Sequence, residues 1–356
     1  MLENFSYCPI LHARVAEIKA LFQLPAASKD RLFPLIVARP WPNANFLVRT
    51  WEKIAEAFGT RRFALDLDRS RRNSGGNRPA AAEFDRLFLE AGGFENYYAM
   101  IADIPAAIPV LRVAGGGVPQ FEQQAVHIDA LERGLVVRLE YDTVTNPLAI
   151  VDQVLARFED DVTIFVDAGW SNDLLSREVW VSGIVQRITD IRPEVEIVVN
   201  GSSFPSSFVD IGDRGEIPVR ERYLYNNLTR RHNAAILIYG DWGSTRPPSD
   251  PVPMKNIPRI DLPENIDWIS FRRDRDLDDD EDYSDIARRV IADPSWPADL
   301  NIWGTYIIEC TANELPGAIR SPAVAASARI NIHLHRQAFF GADNIVGDGD
   351  EPFTDD

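Results

Sequence analysis

The sequence predicts a closed, TIM-like (β/α)8 barrel, and three observations carry that expectation. Eight short apolar runs recur in order: YCPILHA, LFPLIVAR, FALDLDR, IPVLRVAGG, VVRLEYD, VTIFVDAGW, VEIVVNGSS and AAILIYGDWG. The segments between them are long enough for helices, as right-handed crossovers between parallel strands require. Several runs end in a charged or amide residue, and barrels of this class build their active face at those C-terminal strand ends.

Each element has a local reason. Tyr7 to Leu11 is the first strand, and Arg14 to Leu24 places Val15, Ile18, Leu21 and Phe22 at helical spacing before Pro25 ends the helix. Leu32 to Ala38 is the second strand, stopped by Pro40 and Pro42, and Leu47 to Phe58 the next helix. Phe63 to Leu67 is the third strand. Arg69 to Arg78, polar, basic and glycine-containing, reads as a rim loop, and helical spacing resumes at Ala81 to Leu89. Strands four to eight are Ile108 to Val113, Leu135 to Tyr141, Val162 to Ala168, Glu196 to Asn200 and Ala235 to Gly240. Helical stretches Gln120 to Leu131, Asn146 to Phe158, Arg177 to Ile191 and Val219 to His232 fill the intervals.

Beyond the eighth strand the repeat changes. Trp242 to Pro263 is a proline-rich extended loop, and Ile266 to Arg272 and Asn301 to Thr311 read as strands that pair in a cap or side lobe over 242–311. Arg320 to Phe340 makes a last helix expected to close the barrel against strand one, so 1–340 forms one domain and 341–356 an acidic disordered tail. The run Asp276 to Asp282 lacks the glycine and terminal glutamate of an EF-hand loop and reads as a solvated acidic loop.

Composition narrows the function classes. The 356 residues, 45% of them hydrophobic, can bury a large core. A net charge of −17 repels phosphate backbones and anionic membranes, so nucleic acid is not a favoured partner. Cys8 and Cys310 both lie in apolar runs and read as buried thiols of a reducing compartment. Without a signal-peptide pattern or an apolar stretch near 20 residues, a soluble cytoplasmic protein is expected.

The chemistry follows from strand parity, because alternate residues face opposite sides. With Phe63, Leu65 and Leu67 facing helices, Asp66 and Asp68 face inward, and by the same rule Arg138 and Glu140 rise toward the mouth. Asp167, Arg112, Arg39, Asn200 and Asp241 join that ring. Asp66, Glu140 and Asp167 are the candidate catalytic acids. Together with Asp68 they supply the oxygen ligands that Mg²⁺ or Mn²⁺ prefers. Arg39, Arg112, Arg138, Asn200 and Asp241 are the candidate ligand contacts, the arginines gripping an anion through bidentate hydrogen bonds. The bland reading is a structural ion-pair network. Ala114-Gly115-Gly116-Gly117 lacks a phosphate-loop lysine, Asn200-Gly201-Ser202-Ser203 lacks a nucleophile elbow, and His333 and His335 lie on different helix faces, while Arg329, His333 and Arg336 share one.

Tyr7-Cys8-Pro9-Ile10-Leu11, the helix carrying Glu17, Leu32-Phe33-Pro34-Leu35-Ile36, and the late helix with Ser327, Arg329 and His333 resemble the beta protein family of phages and bacterial genomes, over nearly the full length. The resemblance implies a phage or prophage association, with a place in phage–host conflict, and brings no catalytic residues. Three functions are therefore open: a metal-assisted phosphoesterase or related hydrolase at the barrel mouth, a non-catalytic barrel binding a small anionic ligand, and an interaction protein that contacts a phage or host protein.

Overall fold

The computed structural model describes residues 2, 5–73, 78–247, 257–273 and 282–342. Most of the predicted acidic run, the middle of the proline-rich loop and nearly all of the predicted tail lie outside the described residues. The chain divides into two compact units, one of residues 1–14, 32–203 and 220–242, the other of 15–31, 204–219 and 243–356.

The first unit carries two parallel four-stranded sheets. β1 (Ile10–His12), β2 (Leu35–Ala38), β3 (Phe63–Leu67) and β4 (Ala107–Pro109) pair in sequence order. β5 (Leu135–Glu140), β6 (Val162–Trp170), β7 (Glu196–Ser202) and β9 (Ile236–Tyr239) form the second sheet. Between strands run α3 (Val48–Phe58), α4 (Pro79–Arg86), α5 (Ala91–Ala102), α6 (Phe121–Leu131), α7 (Pro147–Arg157), α8 (Glu178–Ile191) and α9 (Arg220–Arg231). Their apolar stripes face the core, as with Val181, Ile184, Val185 and Ile188 of α8. Alternate strand residues from both sheets, including Ile10, Leu35, Ala64, Ile108, Val136, Phe165 and Val198, bury together.

These ladders correct the sequence-based expectation of a single eight-stranded barrel. The strand runs exist, but the pairing resolves into two four-stranded parallel sheets and a separate antiparallel sheet. Among the described residues the two parallel sheets are joined by isolated bridges, Val110–Val136 and Tyr7–Tyr239, and by backbone hydrogen bonds from Leu111 to Val136 at 2.9 Å, Cys8 to Tyr239 at 2.9 Å and Ile10 to Asp241 at 2.7 Å, rather than by continuous ladders. The local causes are visible at each place. Pro109 has no N–H to give a neighbouring strand, so the contact with β5 rests on the Leu111 N–H, which reaches the Val136 carbonyl at 2.9 Å. At the other place the Cys8 carbonyl accepts from the Asn200 amide at 3.0 Å. Gly240 permits that approach, since a Cβ there would collide with Asn200 Nδ2 and the Cys8 carbonyl. Apolar runs predict strands, but sheet continuity depends on donors and acceptors that such runs do not report.

The second unit is antiparallel and helical. β8 (Arg214–Pro218), β10 (Arg259–Pro263) and β11 (Asp267–Arg272) pair in the order β10-β11-β8. α1 (Val15–Phe22), α2 (Ala26–Lys29), α10 (Tyr283–Ala292), α11 (Trp303–Ala312) and α12 (Pro322–Ala338) complete it. The strand expected at Asn301 to Thr311 is the helix α11. Short apolar runs are ambiguous between the two periods, and Trp303, Ile307, Ile308 and Ala312 bury at helical spacing. The predicted last helix is α12, which packs on α1, α11 and β10. Among the described residues no helix is long and apolar enough to cross a membrane.

Candidate functional site

In the first unit the inward residues that follow the apolar core are charged. Asp66 stands two residues after Ala64, Arg112 two after Val110, Arg138 two after Val136 and Asp167 two after Phe165. The period of two that buries the core thus lifts these side chains into one layer toward the strand C-termini.

They form a continuous network. Asp66 Oδ1 accepts from Arg112 Nη1 at 2.6 Å and from the Leu67 N–H at 2.7 Å, while Oδ2 accepts from Arg138 Nη1 at 3.1 Å. Arg138 Nη2 donates to Asp167 Oδ2 at 2.7 Å and to Glu140 Oε1 at 3.1 Å, and its Nε donates to the same Asp167 oxygen at 3.2 Å. Asp167 Oδ1 accepts from the Gly169 N–H at 2.9 Å and from the Trp242 indole at 3.1 Å. The Arg138 guanidinium lies 5.1 Å from the Trp242 ring centroid, and that of Arg112 lies 5.2 Å from Tyr97. Burial opposes ionisation of Asp66, but Arg112 and Arg138 outweigh it and hold its pKa at about 2. Arg138 is driven further toward its charged form: burial opposes this, and Glu140, Asp167 and Asp66 overcome it.

The remaining predicted residues fall in three places. Asp68 lies at the next inward position beyond Asp66; its Oδ1 accepts from the Ser70 N–H and hydroxyl, and its Oδ2 stands 3.7 Å from Arg39 Nη1. Asn200 is turned to the Cys8 carbonyl, and its Oδ1 has no partner. Asp241 is out of phase with the ring: its carboxylate accepts from the Tyr7 hydroxyl and, at 2.9 Å, from the Tyr239 hydroxyl, while Ile238 and Trp242 pack on the inner core. Among the described residues no three His, Cys, Asp or Glu side chains are grouped to hold a metal ion. The four carboxylates assigned to Mg²⁺ or Mn²⁺ are instead directed at arginines and backbone N–H groups.

Sequence reading missed His12 and Trp242, although the parity rule reaches both. His12 follows Ile10 by two positions, and Trp242 follows Ile238 by four. Their rings stack at 5.3 Å between centroids. His12 is 1% exposed, and among the described residues neither ring nitrogen has a hydrogen-bond partner; Asp68 Oδ2 has none either and lies 3.9 Å from His12 Nδ1. Burial, reinforced by Arg14, Arg138, Arg39 and Arg71, depresses the His12 pKa well below its ordinary value, so the ring is neutral at pH 7.

The weaker motifs are absorbed structurally. Ala114 and Gly117 exchange backbone hydrogen bonds, both 3.1 Å, and Ser203 donates its N–H and hydroxyl to Glu221 at 2.5 and 2.6 Å. In the second unit His335 Nδ1 meets the Ser28 hydroxyl at 2.8 Å, and Arg329 donates to Asp261 at 2.8 Å.

Residues 7–339 match the family described as Beta protein. A relative, "Protein beta" of Enterobacteria phage P4, is 27% identical over 343 residues, covering 94% of this chain and 93% of its own. No solved structure matches the chain.

Proposed function

The chain belongs to the Beta protein family, and we propose that it binds a small phosphorylated molecule over His12, Arg39 and Asp68 without a metal ion, the Asp66–Arg112–Arg138–Asp167 network being the scaffold beneath. One observation carries this reading: two ring nitrogens of His12 and one carboxylate oxygen of Asp68 are buried beside Arg39 and have no hydrogen-bond partner among the described residues. Buried polar atoms are nearly always satisfied, so such a group of open valences calls for a polar occupant.

The chemistry of the occupant follows from the donors. Arg39 supplies N–H groups suited to an ionised phosphate oxygen. A neutral imidazole offers one donor and one acceptor, and Asp68 Oδ2 only accepts, so the ligand carries hydroxyl groups as well as the anion. A nucleotide or a sugar phosphate has both. Any hydrolytic step at this site would use the same neutral imidazole as proton acceptor. The similarity to the phage P4 protein supports a phage or prophage setting for this activity.

The test is a panel of nucleoside phosphates, cyclic nucleotides, sugar phosphates and inorganic phosphate, run with chelator present and read by calorimetry and phosphate release. A saturable ligand whose binding falls about tenfold or more in His12→Ala and in Arg39→Ala is the expected result. A flat panel, or a response that His12→Ala leaves intact, refutes the reading and moves the weight to contact with a phage or host protein.

A further inference from the structure

The N-terminal ends of β3 and β4 border a cavity of about 390 Å³ whose lining shares no residue with the charged layer. Its walls are apolar: Trp51 and Ile54 come from α3, Phe63 opens β3, and Ile108 lies on β4. Ile54, Phe63 and Ile108 are 2%, 3% and 1% exposed, so the cavity reaches core side chains. Protein interiors are packed to crystal-like density, and a void of this size is within the range of small-molecule pockets.

Its charge runs against that of the whole chain. The protein has 54 acidic and 37 basic residues, yet the cavity lining contains Arg62 and Arg133 and no carboxylate. Arg133 is fixed as a wall, donating to the carbonyls of Ile101 at 2.9 Å, Ile104 at 2.8 Å and Ala102 at 3.1 Å. Arg62 is exposed and donates to the Arg133 carbonyl at 2.8 Å. Among the described residues neither arginine has a carboxylate partner, whereas Arg49, Arg157, Arg187 and Arg214 are each paired with one. An apolar chamber with an uncompensated guanidinium at its rim is complementary to one class of occupant.

We propose that this cavity binds a small carboxylic acid with an apolar body, the chain or ring lying against Trp51, Ile54 and Phe63 and the carboxylate meeting Arg62. At about 30 Å³ per atom-sized volume, the space holds roughly a dozen non-hydrogen atoms, the size of a medium-chain fatty acid. Burial of the apolar body supplies affinity, and the planar guanidinium selects the ionised head group.

The experiment is calorimetry on the full chain with octanoate, and with 1-octanol as its uncharged twin. Two variants accompany it: Arg62→Gln, which keeps a polar stem and removes the charge, and Ala55→Phe, which adds bulk from an exposed position on the lining helix. The expected result is saturable one-to-one binding of octanoate, about tenfold tighter than octanol. Arg62→Gln brings octanoate down to the level of octanol, and Ala55→Phe weakens both by about tenfold or more, each with an unchanged thermal unfolding profile. Absence of saturable octanoate binding, equal affinity for the two probes, or insensitivity to both variants overturns the proposal.

Discussion

Each unit buries an aspartate between two arginines against aromatic rings, but only one of these clusters is complete. In the second unit Asp261 accepts from Arg329 at 2.8 Å, from Arg259 at 2.9 Å and from the Ser270 hydroxyl at 2.8 Å. Arg259 and Arg329 lie over Phe208 and Phe204, and Arg329 also reaches the Ser244 hydroxyl. In the first unit Asp66 is held by Arg112 and Arg138 in the same manner. There, however, the next inward position leads to His12 and Asp68, where both ring nitrogens and the Asp68 Oδ2 have no hydrogen-bond partner among the described residues. Buried ion pairs are compatible with pure architecture. That difference is the reason the proposed ligand site is put in the incomplete layer rather than in the charged network as such.

The strongest way to break this comparison is to remove one partner from each closed pair. Asp66→Ala takes from Arg112 its buried carboxylate, while Arg138 keeps Asp167 and Glu140, and Asp261→Ala removes the carboxylate that Arg259 and Arg329 share. Each is expected to cost about 3–5 kcal/mol in urea denaturation. A loss below about 1 kcal/mol for Asp66→Ala would show that its network does not support the unit.

The parity of the strands made much of the charged layer legible. FALDLDR and VVRLEYD each alternate an apolar core residue with a charge, and those charges meet in space. What parity could not supply was pairing. Acids and arginines on one layer pair with each other, so Asp66, Glu140 and Asp167, counted as metal ligands, stand as ion-pair partners. Asp241 meets the Tyr7 and Tyr239 hydroxyls rather than the arginines because the inward phase of its strand runs through Ile238 and Trp242. Sheet continuity was illegible for a related reason: the Asn200 amide, from a distant segment, takes the Cys8 carbonyl that a ladder bond would use, and Pro109 has no N–H to give. β8 was missed because Arg214–Pro218 is a short, largely exposed run without an apolar core face.

A third buried carboxylate sharpens the contrast because it has no arginine. Glu221 accepts from the Ser203 N–H and hydroxyl, and burial pushes its pKa up to about 7. A folded pKa above the unfolded one near 4.5 means that this group favours the fold at low pH and that the benefit is lost as pH rises through about 7. The expected loss is about 3 kcal/mol across that window. Denaturation curves from pH 4.5 to 8 should flatten in Glu221→Gln; an unchanged slope would show that Glu221 is ionised in the fold throughout.

Asp66 behaves oppositely. Its pKa of about 2 lies below the unfolded value, so its contribution is present above pH 4 and is lost as pH falls through 2. The expected size is about 2 kcal/mol. Asp66→Asn should remove that acid-side slope while keeping the shape of the side chain, and an equally steep acid transition in the variant would assign the slope to other carboxylates.

The smallest effect at neutral pH is expected at His12, and it is the one that distinguishes the incomplete layer from the closed clusters. His12→Gln removes the stack on Trp242, worth about 1 kcal/mol, but breaks no hydrogen bond to the ring nitrogens because they have none. The parent ring is neutral in the fold because burial and the surrounding arginines depress its pKa. Its contribution is therefore present above the unfolded value near 6.5 and declines as pH falls below it, by about 1 kcal/mol per pH unit until the folded ring also protonates. His12→Gln should abolish that slope, leave stability at pH 8 within about 1 kcal/mol, and eliminate the response to phosphorylated ligands. A loss of 3 kcal/mol or more at pH 8 would instead make His12 part of the scaffold, like Asp66 and Asp261, and the two units would then differ in composition but not in role.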